Sequence, residues 1–291
     1  MNGWEPRIEN SIEIINASQV AALHSLLDSG AHEIGVGDVL PPLWHWVALP
    51  RWSPSSMIDL DGHPYRGKFL PPIDLPRRMF AGGEVVLHGH LVVGDEVARQ
   101  SVVESVESKR GRSGSLVIVR VLTTLTSMNG ELLLAEHQDL IYRDAAPVTD
   151  SIANSKPAGM LSPRGSPLVF DGAAWQFVTD PILLMRFSSA TANAHRIHFD
   201  WPYTTQVEGY PALVVQGPLS TIVLAEVLRL QVPNRSIVRI QHRNVAPMFC
   251  GETASAELAL DRSSAQLTLR KGDRTTLNTL CAQFEPEGSP L

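Results

Sequence analysis

The chain has 291 residues, of which 44% are hydrophobic and 19% charged, and its net charge is −6 at pH 7. This balance indicates a globular protein about twice as long as a typical domain, and the acidic charge argues against a nucleic-acid partner. The two cysteines give neither a zinc spacing nor a disulfide framework, and no apolar run suits a signal core or a membrane span. We therefore expect a reduced, cytoplasmic protein without a membrane partner.

The first half of the chain predicts one helix, an irregular segment and a run of strands. Residues 17–29 have the apolar spacing of an amphipathic helix, with Ser18 as its N-cap. Residues 40–76 contain eight prolines and three tryptophans, so we expect a packed segment without a long helix. Four strands follow, at 78–92, 96–108, 115–127 and 131–142. Asn129-Gly130 between the last two is a strong hairpin signal.

The second half also predicts helices followed by strands. It begins with a strand at 173–179 and a short helix that starts at Asp180-Pro181 and runs to Phe187. A helix at 218–230 is apolar on most of its sides, which is typical of a buried helix. Four strands complete this half, at 236–245, 252–260, 264–270 and 275–284.

The two halves look like copies of one unit. Residues 92–103 and 249–260 share the register of a glycine, an acidic residue and an apolar alternation, which indicates an internal duplication. We predict an α+β fold with an N-terminal repeat at 1–147, a linker at 148–165 and a C-terminal repeat at 166–291. In each repeat an antiparallel sheet is expected to wrap a central helix, which the irregular segment replaces in the first repeat.

The residues that can carry chemistry are concentrated near the start of the buried helix. Five polar residues lie there within eight positions: Asn193, His195, Arg196, His198 and Asp200. Gly217-Pro218 opens the helix shortly after them. The unpaired N–H groups and the dipole at a helix start favour negative charge, so this combination suits chemistry at an acyl carbonyl.

This segment resembles the signature of the MaoC-like (R)-specific hydratase/dehydratase family, which reads S-G-D-x-N-P-x-H-x-D before a central helix. His198 falls on the histidine of that signature, and Asn193 falls on its aspartate. The first half of the chain is similar as well, through the runs DGHP (61–64), FLPP (69–72), LPRRMFAGG (75–83) and KRGRSG (109–114). The resemblance implies a double hotdog fold, in which two hotdog repeats pack as a pseudo-dimer.

The variant motif N-x-H-R-I-H-x-D, followed by E-G-Y-P, resembles the subfamily of mesaconyl-C4-CoA and itaconyl-CoA hydratases. It implies a hydro-lyase that adds water across the C=C bond of a small dicarboxylyl-CoA thioester, converting itaconyl-CoA to citramalyl-CoA or hydrating mesaconyl-C4-CoA. It implies no cofactor except coenzyme A as part of the substrate. The sequence does not determine the oligomeric state, and a homodimer is one assembly that we consider. Two alternatives stay open: a 3-hydroxyacyl-thioester dehydratase of fatty-acid synthesis, and a hotdog protein that binds acyl thioesters without catalysis.

The resemblance and the chemistry of the side chains together assign the catalytic roles. His198 is predicted to be the general base and acid, because a neutral imidazole can take a proton from water. Asn193 is predicted to orient that water, since an amide cannot act as a base. Asp200 or Glu208 could assist His198 instead. Gly217 is expected to offer its backbone N–H to the thioester carbonyl.

The remaining candidates are predicted to bind the substrate. Arg77 and Arg78 could clamp a distal carboxylate or the phosphates of coenzyme A, because a guanidinium binds such groups through paired hydrogen bonds; the alternative is that they are surface charges. His195 and Arg196 are expected to support the loop or the CoA side of the site, with direct catalysis by His195 as the alternative. Tyr203 is expected to contact the substrate.

Overall fold

The computed structural model describes residues 3–111, 114–145 and 165–286. The strands are β1 (Ile8–Ile14), β2 (Arg77–Leu87), β3 (Glu96–Gly111), β4 (Gly114–Ser127), β5 (Leu132–Arg143), β6 (Leu168–Phe170), β7 (Trp175–Val178), β8 (Ile237–Asn244), β9 (Thr253–Leu260), β10 (Ser264–Lys271) and β11 (Thr276–Phe284). The helices are α1 (Ala17–Leu27), α2 (His45–Ala48), α3 (Pro181–Ala190), α4 (Trp201–Gln206) and α5 (Gly217–Gln231). Single 3₁₀ turns lie at Ser55–Met57 and Arg196–His198.

The order of the strands shows that the two halves of the chain are copies of one unit. In each half a first strand (β1 or β7) leads into a helix, and four later strands pair in the same order, β3-β4-β5-β2 and β9-β10-β11-β8. Matching hydrogen bonds place the glycines before β3 and β9. The Gly94 N–H donates to Ile15 O at 2.9 Å, and the Gly251 N–H donates to Thr179 O at 3.1 Å. The predicted internal duplication is confirmed.

The sheets of the two repeats are joined edge to edge. β2 pairs with β8 through five antiparallel residue pairs, from Gly82–Arg243 to Val86–Arg239. The result is one continuous sheet, in the order β1-β3-β4-β5-β2-β8-β11-β10-β9-β7-β6. The sequence patterns predict the two sheets but not this joint, because alternation within a strand does not reveal which free edges meet.

The helix α5 is the centre of the C-terminal repeat. All ten residues from Leu219 to Leu228 are buried, as predicted for a helix that is apolar on most of its sides. It contacts β9, β10 and β11, and it also touches β2 of the other repeat. Its first turn therefore starts inside the protein, close to the joint between the repeats.

The N-terminal repeat has only a remnant of this central helix. The hydrogen bonds from Leu40 N to Leu91 O (2.7 Å) and from Val215 N to Met248 O (2.9 Å) mark corresponding positions just before α2 and α5. At that place α2 has four residues, because the prolines that follow cannot continue a helix. The rest of residues 40–76 is irregular except for one 3₁₀ turn, which confirms the prediction of a segment without a long helix.

Some local features differ from the sequence-based expectation. The N-cap of α1 is Asn16 rather than Ser18, since the Asn16 side chain accepts the N–H groups of Ser18 and Gln19. The strand β1 is not predicted, because it buries neither face and leaves its isoleucines exposed. Residues 148–164 of the predicted linker lie outside the described residues, so the domain boundaries stay a prediction.

Candidate active site

A cavity of about 1270 Å³ is lined by the irregular segment, by β2 and by the loops that precede α5. Most of the sequence-predicted site residues form its wall: Arg77, Arg78, Asn193, His195, His198 and Gly217. Arg196 and Tyr203 are not among the described residues of this wall. The cavity exceeds the roughly 300–1,000 Å³ of typical ligand pockets, so it has room for a large thioester. Both repeats therefore contribute to one site.

His198 is held in one tautomer. It is 6% exposed, and its Nδ1 lies 2.7 Å from the carbonyl oxygen of Val214. A carbonyl oxygen only accepts, so Nδ1 carries the proton and Nε2 keeps a lone pair. Burial lowers the pKa of His198 to about 4, which keeps the ring neutral at pH 7. A neutral ring with a free lone pair is the state that a general base requires.

Asn193 and His195 shape the loop beside His198. The Asn193 Oδ1 accepts the His195 N–H at 3.1 Å, so the amide stabilises the turn and keeps its Nδ2 group as a donor. The centroid of the His195 ring lies 4.1 Å from that of His63 and 5.4 Å from that of His198. Burial lowers the pKa of His195 well below its usual range. The three clustered imidazoles are therefore neutral at pH 7.

Gly217 is the first residue of α5, and no side chain caps this helix start. Its N–H is one of the first-turn donors that have no partner within the helix. A Cβ at Gly217 would lie 2.6 Å from Asn244 Nδ2. The Asn244 amide cannot easily move away, since it donates to Phe80 O at 3.0 Å and accepts from Asn278 at 2.6 Å. The position therefore requires glycine, and its N–H suits a developing oxyanion.

The two adjacent arginines of β2 have different surroundings. The Arg77 Nε lies 3.4 Å from Glu208 Oε2, and its guanidinium carbon lies 4.3 Å from the centroid of the Tyr210 ring. Arg77 is thus held by groups of the protein. Arg78 forms no ion pair with any residue that the structure describes. Burial is the main cause of the lowered pKa of His63, and the positive charge of Arg78 is the next largest cause. Arg78 is therefore the arginine whose charge is available beside the histidines.

Arg196 and Tyr203 support the loop that carries His195 and His198. The Arg196 guanidinium pairs with Asp200 at 2.7 Å, stacks 4.1 Å from the Tyr203 ring centroid and donates to Leu60 O at 3.1 Å. The Tyr203 hydroxyl donates to Glu208 at 3.4 Å. These contacts tie the loop to the N-terminal repeat, so the structure gives no support for substrate contacts by either residue.

The sequence-based assignment left out a pair from the N-terminal repeat. The Asp61 carboxylate accepts the His63 N–H at 2.8 Å, and its second oxygen lies 3.1 Å from His63 Nδ1. The Arg196 N–H donates to Asp61 O at 2.9 Å. This bond joins the loop of Asp61 and His63 directly to the loop that carries His195 and His198. The signal was present in the sequence as the run DGHP, but the run alone does not show which residues its histidine faces.

Asp61 and His63, together with His195, form a group of side chains of the kind that binds cations. Among the described residues, ligand atoms of Asp61, His63 and His195 lie within 4.8 Å of one another. Asp61 and His63 bond to each other at 3.1 Å, so in this structure they form a hydrogen-bonded dyad beside His195.

We expect Gly62→Ala to separate the two docked loops and to lower both stability and activity. Gly62 has a φ of +93°, and a Cβ there would overlap the carbonyl oxygen of Ala194. The left-handed backbone alone costs a side chain roughly 1–2 kcal/mol, and the overlap adds to it. Gly67→Ala is the matched control, because Gly67 has a φ of +91° and its Cβ would meet no atom closer than 3.6 Å. Equal losses of melting temperature and turnover in both variants would contradict the docking.

Comparisons with known proteins agree on one family. The model of the family hydroxyacyl-thioester dehydratase type 2 matches residues 43–250. The chain is also 41% identical, over 247 residues, to the mesaconyl-C(4)-CoA hydratase of Chloroflexus aurantiacus. That alignment covers 84% of each protein.

Solved structures agree with the fold. HtdX of Mycobacterium tuberculosis matches with a TM-score of 0.67 and 16% identity, over 96% of this chain and all of that one. A second protein of that organism, described as having a double hotdog fold, matches with a TM-score of 0.60 and 14% identity, over 98% and 96% of the two chains. At these identities the likeness bears on the fold alone, and it confirms the predicted double hotdog.

Proposed function

The chain belongs to the hydroxyacyl-thioester dehydratase type 2 family of hydro-lyases, and we propose that it is the hydratase of a small dicarboxylyl-CoA thioester. The observation that carries the proposal is the tautomer of His198: a buried, neutral imidazole whose Nε2 keeps its lone pair, in the same cavity as the uncapped start of α5. Together they offer a base for water and a donor for a carbonyl oxygen. This combination argues against a protein that only binds thioesters.

The proposed reaction needs only these groups. The thioester carbonyl accepts the Gly217 N–H, and the dipole of α5 stabilises the negative charge that develops on its oxygen. His198 Nε2 takes a proton from water as the oxygen of that water bonds to the β-carbon. The same proton then passes from His198 to the α-carbon, which restores the neutral ring. Asn193 orients the water through its amide. Coenzyme A enters as part of the substrate, and we propose no other cofactor.

The identity of the acyl group is proposed from the relative and from Arg78. In mesaconyl-C4-CoA the free carboxylate sits on the β-carbon, the atom that water attacks. A group that reads this carboxylate must therefore lie next to the groups that hold the water. Arg78 is our candidate for this group, since it lines the same cavity as His63, His195 and His198 and, after burial, its charge helps to lower the pKa of His63 and of His195. Itaconyl-CoA is the second substrate of this class that we propose. It yields the same citramalyl-CoA when water adds to the same carbon and the proton passes from His198 to its terminal methylene carbon instead of to the α-carbon.

Hydration in ¹⁸O-labelled water tests the proposal. The purified protein should convert mesaconyl-C4-CoA or itaconyl-CoA to a product that is heavier by one molecule of labelled water. With mesaconyl-C4-CoA, whose C=C bond is conjugated to the thioester, the enoyl absorbance should also be lost. Protein inactivated by heat is the control. Binding of these thioesters without turnover would support the non-catalytic alternative, and turnover without incorporation of the label would exclude hydration.

One observation favours a second candidate, a 3-hydroxyacyl-thioester dehydratase. The cavity is large, and part of its wall is apolar, with Leu70, Val121 and Leu140 among its residues. Such a wall suits a neutral acyl chain. A series of neutral 3-hydroxyacyl-CoA thioesters from four to twelve carbons separates the candidates. Rates that rise with chain length and exceed those on the dicarboxylyl thioesters would select the dehydratase.

The location and the assembly of the protein are also proposals. No helix of the described residues is long and apolar enough to span a membrane. We propose a cytoplasmic enzyme from its acidic composition and from the type of relative that it matches. We also propose a homodimer, which light scattering of the purified protein would test.

A further inference from the structure

Asp61 and His63 form a hydrogen-bonded pair in the cavity, and the reaction proposed above gives this pair no role. Asp61 is 13% exposed and His63 is 16% exposed. Burial would raise the pKa of Asp61, but the bonds from His63 hold it at about 2, and burial lowers the pKa of His63 to about 4. At pH 7 an ionised carboxylate thus faces a neutral ring. His63 Nδ1 must carry the proton that Asp61 accepts, and its Nε2 keeps a lone pair.

His198 and Asn193 together leave one hydrogen of the attacking water without a hydrogen-bond acceptor. Water has two hydrogens and two lone pairs, and one lone pair must stay free to bond to the β-carbon. The other lone pair can accept from Asn193 Nδ2, and one hydrogen can donate to His198 Nε2. The second hydrogen needs a further acceptor in a buried site. His63 lines the same cavity and supplies an acceptor through its Nε2.

The carboxylates that could assist His198 from the C-terminal repeat are already engaged. Asp200 pairs with Arg196 at 2.7 Å and accepts the Tyr203 N–H at 3.1 Å as the N-cap of α4. Glu208 pairs with Arg77. Asp61 is the carboxylate that reaches the histidine cluster, and it does so through His63.

We infer that His63 holds the attacking water together with His198, and that Asp61 is a positioning residue that fixes the tautomer of His63. The inference rests on the proposed hydration. The proton moves from water to His198 and then to the α-carbon, while Asp61 stays ionised and His63 stays neutral. The N-terminal repeat thereby contributes a catalytic residue and not only a wall of the cavity.

Asp61→Asn is the test, with Asp59→Asn as the matched control on the same loop. An asparagine can donate to Nδ1 of His63, which favours the ring with its proton on Nε2 and removes the acceptor. We expect kcat on mesaconyl-C4-CoA to fall at least tenfold in Asp61→Asn, with little change in the affinity for the saturated 2-methylsuccinyl thioester. Asp59 accepts only the neighbouring Leu60 N–H among the side-chain bonds of this loop, so Asp59→Asn should keep normal turnover.

The tautomer is read directly by ¹⁵N NMR of histidine-labelled protein. The His63 signals, assigned by their loss in His63→Gln, should show the proton on Nδ1 in the wild type and on Nε2 in Asp61→Asn. His63→Gln, which keeps an acceptor near Nε2, should retain more activity than His63→Leu. Equal activity of these two variants, or normal turnover of a folded Asp61→Asn, would overturn the inference. Failure of the wild type to hydrate any thioester would instead overturn the proposed function, and the NMR signals would still decide whether Asp61 fixes the tautomer.

Discussion

Replacing His198 by alanine should lower kcat by about 10²–10⁴-fold, the usual contribution of a positioned proton-transfer group. The ring is 6% exposed and bonded to Val214 O, so it is held in place with its Nε2 as the free acceptor. We propose no contact between His198 and coenzyme A. The substitution should therefore change KM far less than kcat. Steady-state kinetics on mesaconyl-C4-CoA measures both constants.

The control for this variant is its fold. The circular dichroism spectrum and the affinity for the saturated thioester should match those of the wild type. Near-normal turnover in a folded His198→Ala protein would contradict the assignment and would transfer the role of base to His63 or His195, which lie in the same cluster.

Replacing Arg78 by methionine should reduce kcat/KM on a C5 dicarboxylyl-CoA by roughly ten- to a hundredfold. A hydrogen bond to a charged group contributes about 1.5–3 kcal/mol, which corresponds to that range of rates. Methionine keeps an unbranched apolar side chain but removes the charge. Crotonyl-CoA has no distal carboxylate, so its hydration should change far less.

Arg77→Met is the matched control on the neighbouring position of β2. It removes the partner of Glu208 and the stacking on Tyr210, so it should affect both substrates alike and should lower the melting temperature. Equal losses on both substrates in Arg78→Met would mean that Arg78 binds coenzyme A or supports the fold. The dicarboxylate proposal would then lose its main physical support.

The parts of the fold with a strong local pattern could be predicted from the sequence. The helix α5 is apolar on most sides, and Asn129-Gly130 is a strong hairpin signal, so both elements are found close to their predicted positions. The register shared by residues 92–103 and 249–260 identified the duplication because the two glycines make the same backbone hydrogen bond. The signals for these features lie in short runs of the sequence.

The features that depend on distant contacts could not be predicted. The strand β1 lacks a buried face, so periodicity gives no signal for it. The sequence treats Arg77 and Arg78 as equivalent, and only the positions of Glu208 and Tyr210 separate them. His63 lies more than 130 residues from His195 in the chain, and the docking of two loops brings their rings to 4.1 Å. The candidate site therefore follows from the sequence in its C-terminal half and from the structure in its N-terminal half.

The central claim is that this site hydrates a thioester whose free carboxylate is bound by Arg78 next to the attacking water. The ratio of kcat/KM for mesaconyl-C4-CoA to that for crotonyl-CoA, measured on the wild type under one set of conditions, tests it most directly. A carboxylate contact of about 1.5–3 kcal/mol predicts a ratio of at least roughly ten in favour of the dicarboxylyl thioester. A ratio near one, or a preference for the neutral substrate, would contradict the account.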